Sequence, residues 1–575
     1  MSNKMVRMVV TLVTVLVVGS LGLGFVLAQT QQGGVERPDQ EIPYGGTVVV
    51  SHRAASAWVR NFNPFAPDPI NETLDMIHEP LIVWNPVTAG EPTWWLATGY
   101  EYSEDLMTLT FTLREGVLWN DGEVFNADDV VFTMNLIHEY PELDRGALWG
   151  FVESVEKVDD YTVAFHLSRV FTQAHGRIGE LNPVPEHVWS QVEDPVTFTN
   201  PEPVATGPFS IVCTFRDQVY ELCRNENYWQ EGKPYVERLR YPAYPGNEQS
   251  NLALVNGEID WAGHFVPDIE NTYVAQDPEH FHYYFWPGGG TVSLYANTTK
   301  APFSDVQFRR AMSMAVDYES VVNIGMYGYT VPAYPVGLGP AHENWVMEEP
   351  MARAEEMGLG QYNPEGAAAI LDEAGYVDAD GDGWRDLPDG SPIEFNVQVV
   401  NGWTDWVTSV QIISQNFQDV GLNASVATPE FGDWLDNLQT GSYDVSIGWG
   451  TTVTRTPWDG YNDLLDSDLL GEDGRANGIT WARWFSDEAD ALLDAFVATT
   501  DEAEQRQIIS DIQMLIVENV VFIPLFPGPT WYEYNTTRFT GFPTEENYYA
   551  QGSPWRLPNS RLLVATSIHL AEPME

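Results

Sequence analysis

The head of the chain constrains everything that follows it. Lys4 and Arg7 precede a charge-free, mostly apolar stretch from Met8 to Leu27, and Val26-Leu27-Ala28 offers the residues a signal peptidase accepts. Residues 1–28 are read as a cleaved export signal. The alternative is a retained membrane anchor, because the run is about long enough to span a bilayer. No later stretch is long and apolar enough to cross a membrane, and no cysteine follows the run as a lipid-attachment site. The body is therefore expected to work outside the cytoplasm, in a periplasm or on the outer face of the membrane. Cleavage leaves about 545 residues, well beyond the roughly 300 at which a single core stops growing, so at least two lobes are expected.

Charge narrows the partners. The chain has 83 acidic and 27 basic residues, a net charge of −56, and Lys4, Lys157, Lys233 and Lys300 are its only lysines. Nucleic acid and anionic membrane surfaces are poor partners for such a surface. The charge itself is accounted for by a solvated acidic surface. The two cysteines, Cys213 and Cys223, lie in a predicted hairpin whose runs Phe209–Arg216 and Tyr220–Arg224 flank a three-residue loop, Asp217-Gln218-Val219. That loop would place the cysteines directly opposite each other. An oxidising compartment favours a cross-strand disulfide over two free thiols.

Periodicity then gives elements. Residues 29–43 read as a flexible leader and Gly46–Ser51 as the first strand. Tyr102–Leu113 and Val152–Leu167 read as strand pairs turning at Glu104-Asp105 and Asp159-Asp160. Asn126 caps a helix, and Asn363 caps another that has Pro364 at its first position and Gly375 at its end. Ser304–Asn323, Asp405–Val420, Phe431–Gln439 and Glu502–Asn519 read as helices, Asn423–Ala427 and Asp444–Trp449 as strands. The alternation in the second half predicts a mainly parallel α/β lobe, and the first half is richer in hairpins.

No hydrolase elbow, zinc-protease helix or phosphate loop occurs in the sequence. His280 and His282 have no third ligand near them. One loop does carry metal-type spacing. Asp378, Asp380, Asp382, Asp386 and Asp389 occupy positions 1, 3, 5, 9 and 12 of a calcium loop, with Gly383 at position 6 and Trp384 at position 7, where a backbone carbonyl serves. Asp389 stands where a longer glutamate is usual. The loop reads either as a structural calcium site or as an acidic turn. The other signal is aromatic: the chain holds 21 tryptophans, and Trp403, Trp406, Trp449, Trp458 and Trp531 fall in or beside predicted loops. An indole can cover the apolar face of a pyranose, and Asn401, Asp405, Asp459 and Asn462 beside these tryptophans could meet its hydroxyls. Open α/β lobes bind ligands at the carboxyl ends of their strands.

A series of short motifs resembles a known family. They include Asn63-Pro64-Phe65, Glu79-Pro80-Leu81, Trp95-Leu96-Ala97, and Leu113-Arg114 through Asp121-Gly122 followed by Ala127-Asp128-Asp129-Val130. Thr206-Gly207-Pro208-Phe209, Asn225 through Trp229, Gly257-Glu258-Ile259-Asp260 and Phe308-Arg309-Arg310-Ala311 continue the series in order. The chain is similar along nearly its full mature length to the extracellular solute-binding proteins, family 5, which include the oligopeptide, dipeptide and nickel receptors of ABC importers. The resemblance implies an α/β, two-lobed periplasmic-binding-protein fold (type II, cluster C-like) with an extra subdomain on the first lobe. It implies a monomeric receptor, not an enzyme, that hands a small ligand to a membrane permease. The expected layout is 44–75, 200–290 and 533–575 in lobe I, 76–199 as its subdomain, and 291–532 in lobe II.

Within that family the segments Tyr532–Thr536, Gly541–Ala550, the hydrophobic end Leu562–Leu570 and Pro335–Trp345 resemble the oligosaccharide-binding branch. Peptide receptors hold a peptide's amino terminus with an aspartate just past the strand matching Asp444–Trp449. Here Thr452 takes that place, with Asp459 nearby. A neutral oligosaccharide is therefore the expected ligand, an oligopeptide the alternative, and a secreted hydrolase a third reading from another class.

Overall fold

A computed structural model describes residues 42–88, 90–286, 288–471, 473–555 and 559–572 of the chain, within a compact unit running from Glu41 to Glu575. The export signal, its cleavage site and nearly all of the leader lie outside the described residues.

Three sheets organise this unit. The first has seven strands in the order 281–283, 533–535, 261–262, 47–51, 238–242, 219–223 and 211–216. Thr47–Ser51 lies between parallel neighbours on both sides. Its one face is fully enclosed, at Val48 and Val50, while Thr47 and Val49 on the other are half-buried. The second sheet has five strands in the order 423–427, 394–398, 445–449, 291–296 and 523–527. Its first three strands are mutually parallel, and Thr291–Ala296 runs antiparallel to both its neighbours. The third is an antiparallel sheet of four strands, 97–102, 108–113, 162–167 and 152–159.

The chain passes from the first sheet to the second by way of residues 284–286 and 288–290 and returns through 528–532. These two segments run side by side. Tyr284 N donates to Tyr532 O at 3.1 Å, Thr530 N to Trp286 O at 3.2 Å, and Gly528 N to Gly290 O at 2.7 Å. The glycines are needed for the approach: a Cβ on Gly289 would sit 2.1 Å from Gly528 O.

Local chemistry sets the elements. The helix Ala127–Glu139 starts at a reciprocal cap, in which Asn126 Oδ1 accepts from Asp128 N at 2.7 Å and Asp129 Oδ2 accepts from Asn126 N at 3.0 Å. Asn363 caps Pro364–Glu373, and Asp501 caps Glu502–Asn519. Two expectations need correction. The predicted helix Ser304–Asn323 is broken: Val306–Ala315 ends at Val316, whose backbone is extended, and Asp317 caps a separate turn at Ser320 N. The cysteine hairpin turns on two residues, because Arg216 pairs with Val219. Cys213 falls at a bulge between Val212 and Thr214, so Ile211 stands opposite Cys223, yet Cys213 and Cys223 are bonded, with Cα atoms 5.8 Å apart.

Candidate functional site

Two parallel strands of the second sheet, Glu394–Gln398 and Val445–Trp449, end at the same edge, and aromatic side chains gather there. Gly402 turns the chain with φ +83°, and Trp403 stands immediately before the helix Thr404–Asp419. Trp403 packs edge-on against Trp406 at 5.0 Å and lies 6.1 Å from Trp449. Trp434 and Trp481 approach Trp449 at 5.2 and 5.9 Å, and Phe431 at 6.3 Å. Trp449 is held by this cluster but keeps 39 % of its surface exposed, an unusual share for a tryptophan. From the first sheet, Arg53 follows strand Thr47–Ser51 and reaches over Phe431 at 5.1 Å and Trp58 at 5.9 Å. The strand ends of the two sheets thus face each other. Backbone meets backbone here as well, since Asn247 N donates to Gly402 O at 3.1 Å.

The other candidate residues divide by burial. Trp458 is enclosed in the core, stacked on Phe496 and donating its indole N–H to Leu493 O. The expectation that it lies in an open loop is corrected. It sits in the first turn of a helix, Pro457–Leu465, for which Pro457 was the available signal. Trp531 is likewise buried, against Phe265 and Phe285. Asn462 is buried, and Asn401 Nδ2 donates to Glu430 Oε1 at 2.8 Å. Asp405 lies beneath the platform, where burial pushes its carboxyl up to about 6 although Asn247 Nδ2 donates to it. Thr452 is exposed and points toward the crossing segment at Gly290.

A second cluster, of which the sequence singled out only Asp459, lies where helix Pro457–Leu465 meets the short helix Ala174–Gly179. Arg455 pairs with Asp459 at 2.6 Å, and Arg177 with Asp463 at 3.1 Å. Asp459 is thus already engaged by a cation. Arg455 also lies over the Trp84 ring at 4.8 Å. Burial works against the Arg177 charge, but Asp463, Asp459 and Glu180 outweigh it and raise its pKa. Burial raises the carboxyls of Glu180 and Asp463, yet Glu180 is exposed and Asp463 keeps 44 % of its side-chain surface.

The acidic loop brings together three of its predicted ligands. Asp378, Asp380 and Asp382, all exposed, each hold an oxygen within 4.8 Å of the others. Such an oxygen set suits a hard cation. Asp386 is instead buried and accepts from Ala379 N, and Asp389 accepts from Ser391 N, so neither carboxylate joins the cluster. The Trp384 amide donates to Asp382 Oδ1. The loop packs on the far end of the Trp403 helix, since Arg385 Nε donates to Val420 O at 2.7 Å.

Comparisons with known proteins follow the same lines. The family model for bacterial extracellular solute-binding proteins, family 5 Middle, matches residues 91–469. Heme-binding protein A of Haemophilus influenzae is 25 % identical over 456 residues, which cover 75 % of this chain and 78 % of that protein. Among solved structures, the mannohexaose-bound periplasmic oligopeptide-binding protein of an ABC transporter from Thermotoga maritima superposes with TM-score 0.85 and 27 % identity, over 92 % of this chain and 99 % of that one. The oligopeptide-binding protein AppA of Bacillus subtilis, in complex with a nonapeptide, shares the fold at TM-score 0.78 and 20 % identity, over 92 % and 100 %.

Proposed function

The chain belongs to the bacterial extracellular solute-binding proteins of family 5, and as the extracytoplasmic, substrate-binding receptor of an ABC importer it captures, we propose, a neutral oligosaccharide between its lobes. The observation that carries this reading is Trp449. It is a half-exposed indole braced by Trp403, Trp434, Trp481 and Phe431 at the carboxyl ends of two parallel strands. Rigid aromatic plates suit the C–H face of a sugar ring. Two features support it further. No free carboxylate stands at the Thr452 position to hold a peptide's ammonium group, and the relative from Thermotoga maritima carries mannohexaose. The loop at Asp378, Asp380 and Asp382 is proposed to hold a structural calcium ion, separate from the ligand. Binding is proposed to close the lobes about residues 284–286 and 288–290 and the segment 528–532 that pairs with them.

The test is calorimetric titration with a panel of neutral oligosaccharides and a panel of peptides, with small-angle scattering at saturation. Binding of sugars with a smaller radius of gyration is the expected result. Binding of peptides, with no heat from any sugar, would restore the peptide receptor.

A further inference from the structure

The Arg455–Asp459 pair is unusual in what it leaves unmade. The Arg455 side chain is nine-tenths buried, at 10 % accessible, and Asp459 is at 14 %. Arg455 Nη2 reaches Asp459 Oδ1, but Arg455 Nε and Nη1, Asp459 Oδ2 and Thr456 Oγ1 have no hydrogen-bond partner among the described residues. An unmatched buried polar atom costs about 1–3 kcal/mol, more when charged, and buried groups are nearly always paired. Two free donors and a free acceptor on adjacent residues are therefore capacity awaiting a ligand. The surroundings fit. Arg455 lies over Trp84, and its Nη1 lies where a Cβ on Gly176 would come within 1.8 Å, so only glycine admits the guanidinium. Asp463, 44 % exposed, and the exposed Glu180 stand beside the pair.

We propose that Arg455 and Asp459 form the polar end of the ligand site and read two adjacent hydroxyls of a sugar ring, one accepting from Arg455 and one donating to Asp459 Oδ2. The inference rests on the oligosaccharide reading and adds its rule of selection. A carboxylate could accept from Arg455 but would meet Asp459, Asp463 and Glu180. An ammonium could donate to Asp459 but would meet Arg455 and Arg177. A group that both donates and accepts satisfies the pair, and the vicinal diol of a sugar ring is such a group. The same end of the site then excludes uronic acids, amino sugars and peptide termini.

The experiment titrates the full protein with mannohexaose, an oligogalacturonate and a chitosan oligomer. Wild type is expected to bind the neutral hexasaccharide and to discriminate at least 100-fold against both charged oligomers. Arg455→Gln and Asp459→Asn should each weaken mannohexaose at least tenfold. Asp459→Asn should narrow the gap to oligogalacturonate about tenfold, and Arg455→Gln the gap to the chitosan oligomer. Gly176→Ala leaves every charge in place, and alanine suits a helix, so it decides the matter should Arg455→Gln fold poorly. It too should weaken mannohexaose at least tenfold. If all three variants bind mannohexaose within twofold of wild type, the subsite is overturned while the sugar receptor stands. If wild type binds peptides and no sugar, both are overturned.

Discussion

The two ends of the proposed site are built on opposite physics. At the strand ends of the second sheet, Trp449 offers an apolar plate braced by other rings. At the junction with helix Ala174–Gly179, two arginines face three carboxylates, and donors and an acceptor are left over. The first arrangement rewards contact area and tolerates variation in the ring it covers. The second rewards only a group with matched hydrogen-bonding geometry. A receptor that joins them gains affinity from the plate and discrimination from the pair. In a chain of net charge −56, the plate also keeps attraction independent of the surface field.

The largest effect should come from the plate. Trp449→Ala is expected to cost about 3 kcal/mol of sugar affinity, near 150-fold, if the complex covers the indole as a core would. Titration of wild type and variant measures it directly. The same titrations in 50 mM and 500 mM salt should agree within about twofold for a neutral sugar, because no net charge is neutralised. A Trp449→Ala variant that binds sugars as wild type does would move the affinity to the charged end and reverse the comparison.

A smaller effect lies beneath the plate, in Asp405. Its folded carboxyl keeps its proton to about pH 6, against a usual value of 3.8. Between those values the native state binds more protons than the unfolded state, so stability falls as pH rises from about 4 to 6 and does not recover above. The two-unit shift sets an upper bound on the order of 3 kcal/mol. Burial also raises Glu79, to about 7, and Asp466, to about 6, so wild type alone cannot isolate the group. Asp405→Asn can. Its stability relative to wild type should improve by about 1–3 kcal/mol between pH 4 and pH 7 in denaturant titrations. A constant difference across that range would mean that Asp405 ionises normally under the platform.

How far the sequence could be read follows from the range of each signal. Asn126, Asn363-Pro364 and Asp501 announce helices because a cap is a contact within three residues. The break at Val316 is equally local, but the sequence gives Asp317 two roles, helix interior or cap, and the structure takes the second. Of the five tryptophans the sequence singled out, Trp403, Trp406 and Trp449 come together, while Trp458 and Trp531 are buried elsewhere. Trp449 and Trp458 lie nine positions apart in one loop-rich stretch, and only the packing of Phe171 and Phe496 around Trp458 puts it in the core. Arg455 was out of reach altogether. Its meaning depends on Gly176 and Trp84, which are distant in the chain and leave no trace in its own neighbourhood.

The smallest effect should come from the acidic loop, which serves as a control on both ends of the site. Asp378, Asp380 and Asp382 crowd three carboxylates within 4.8 Å, so a cation relieves their repulsion. The loop meets the carboxyl end of helix Thr404–Asp419, while Trp403 and Asp405 occupy its amino end. At about 1.5 Å per residue, 16 residues put roughly 24 Å between them. Across that distance a calcium ion can stabilise the fold without touching the ligand. At a concentration tenfold above its dissociation constant it contributes about 1.4 kcal/mol, a shift of a degree or two for a unit this large. Chelation should lower the melting temperature of wild type by that amount and leave Asp380→Ala unmoved. Sugar affinity should stay within twofold in both. A melting temperature indifferent to chelator would reduce the loop to a turn held by its own Asp–amide bonds. A sugar affinity that fell with chelation would instead mean that the helix transmits the loop's order to Trp403, and the platform would then have to be treated as adjustable and not rigid.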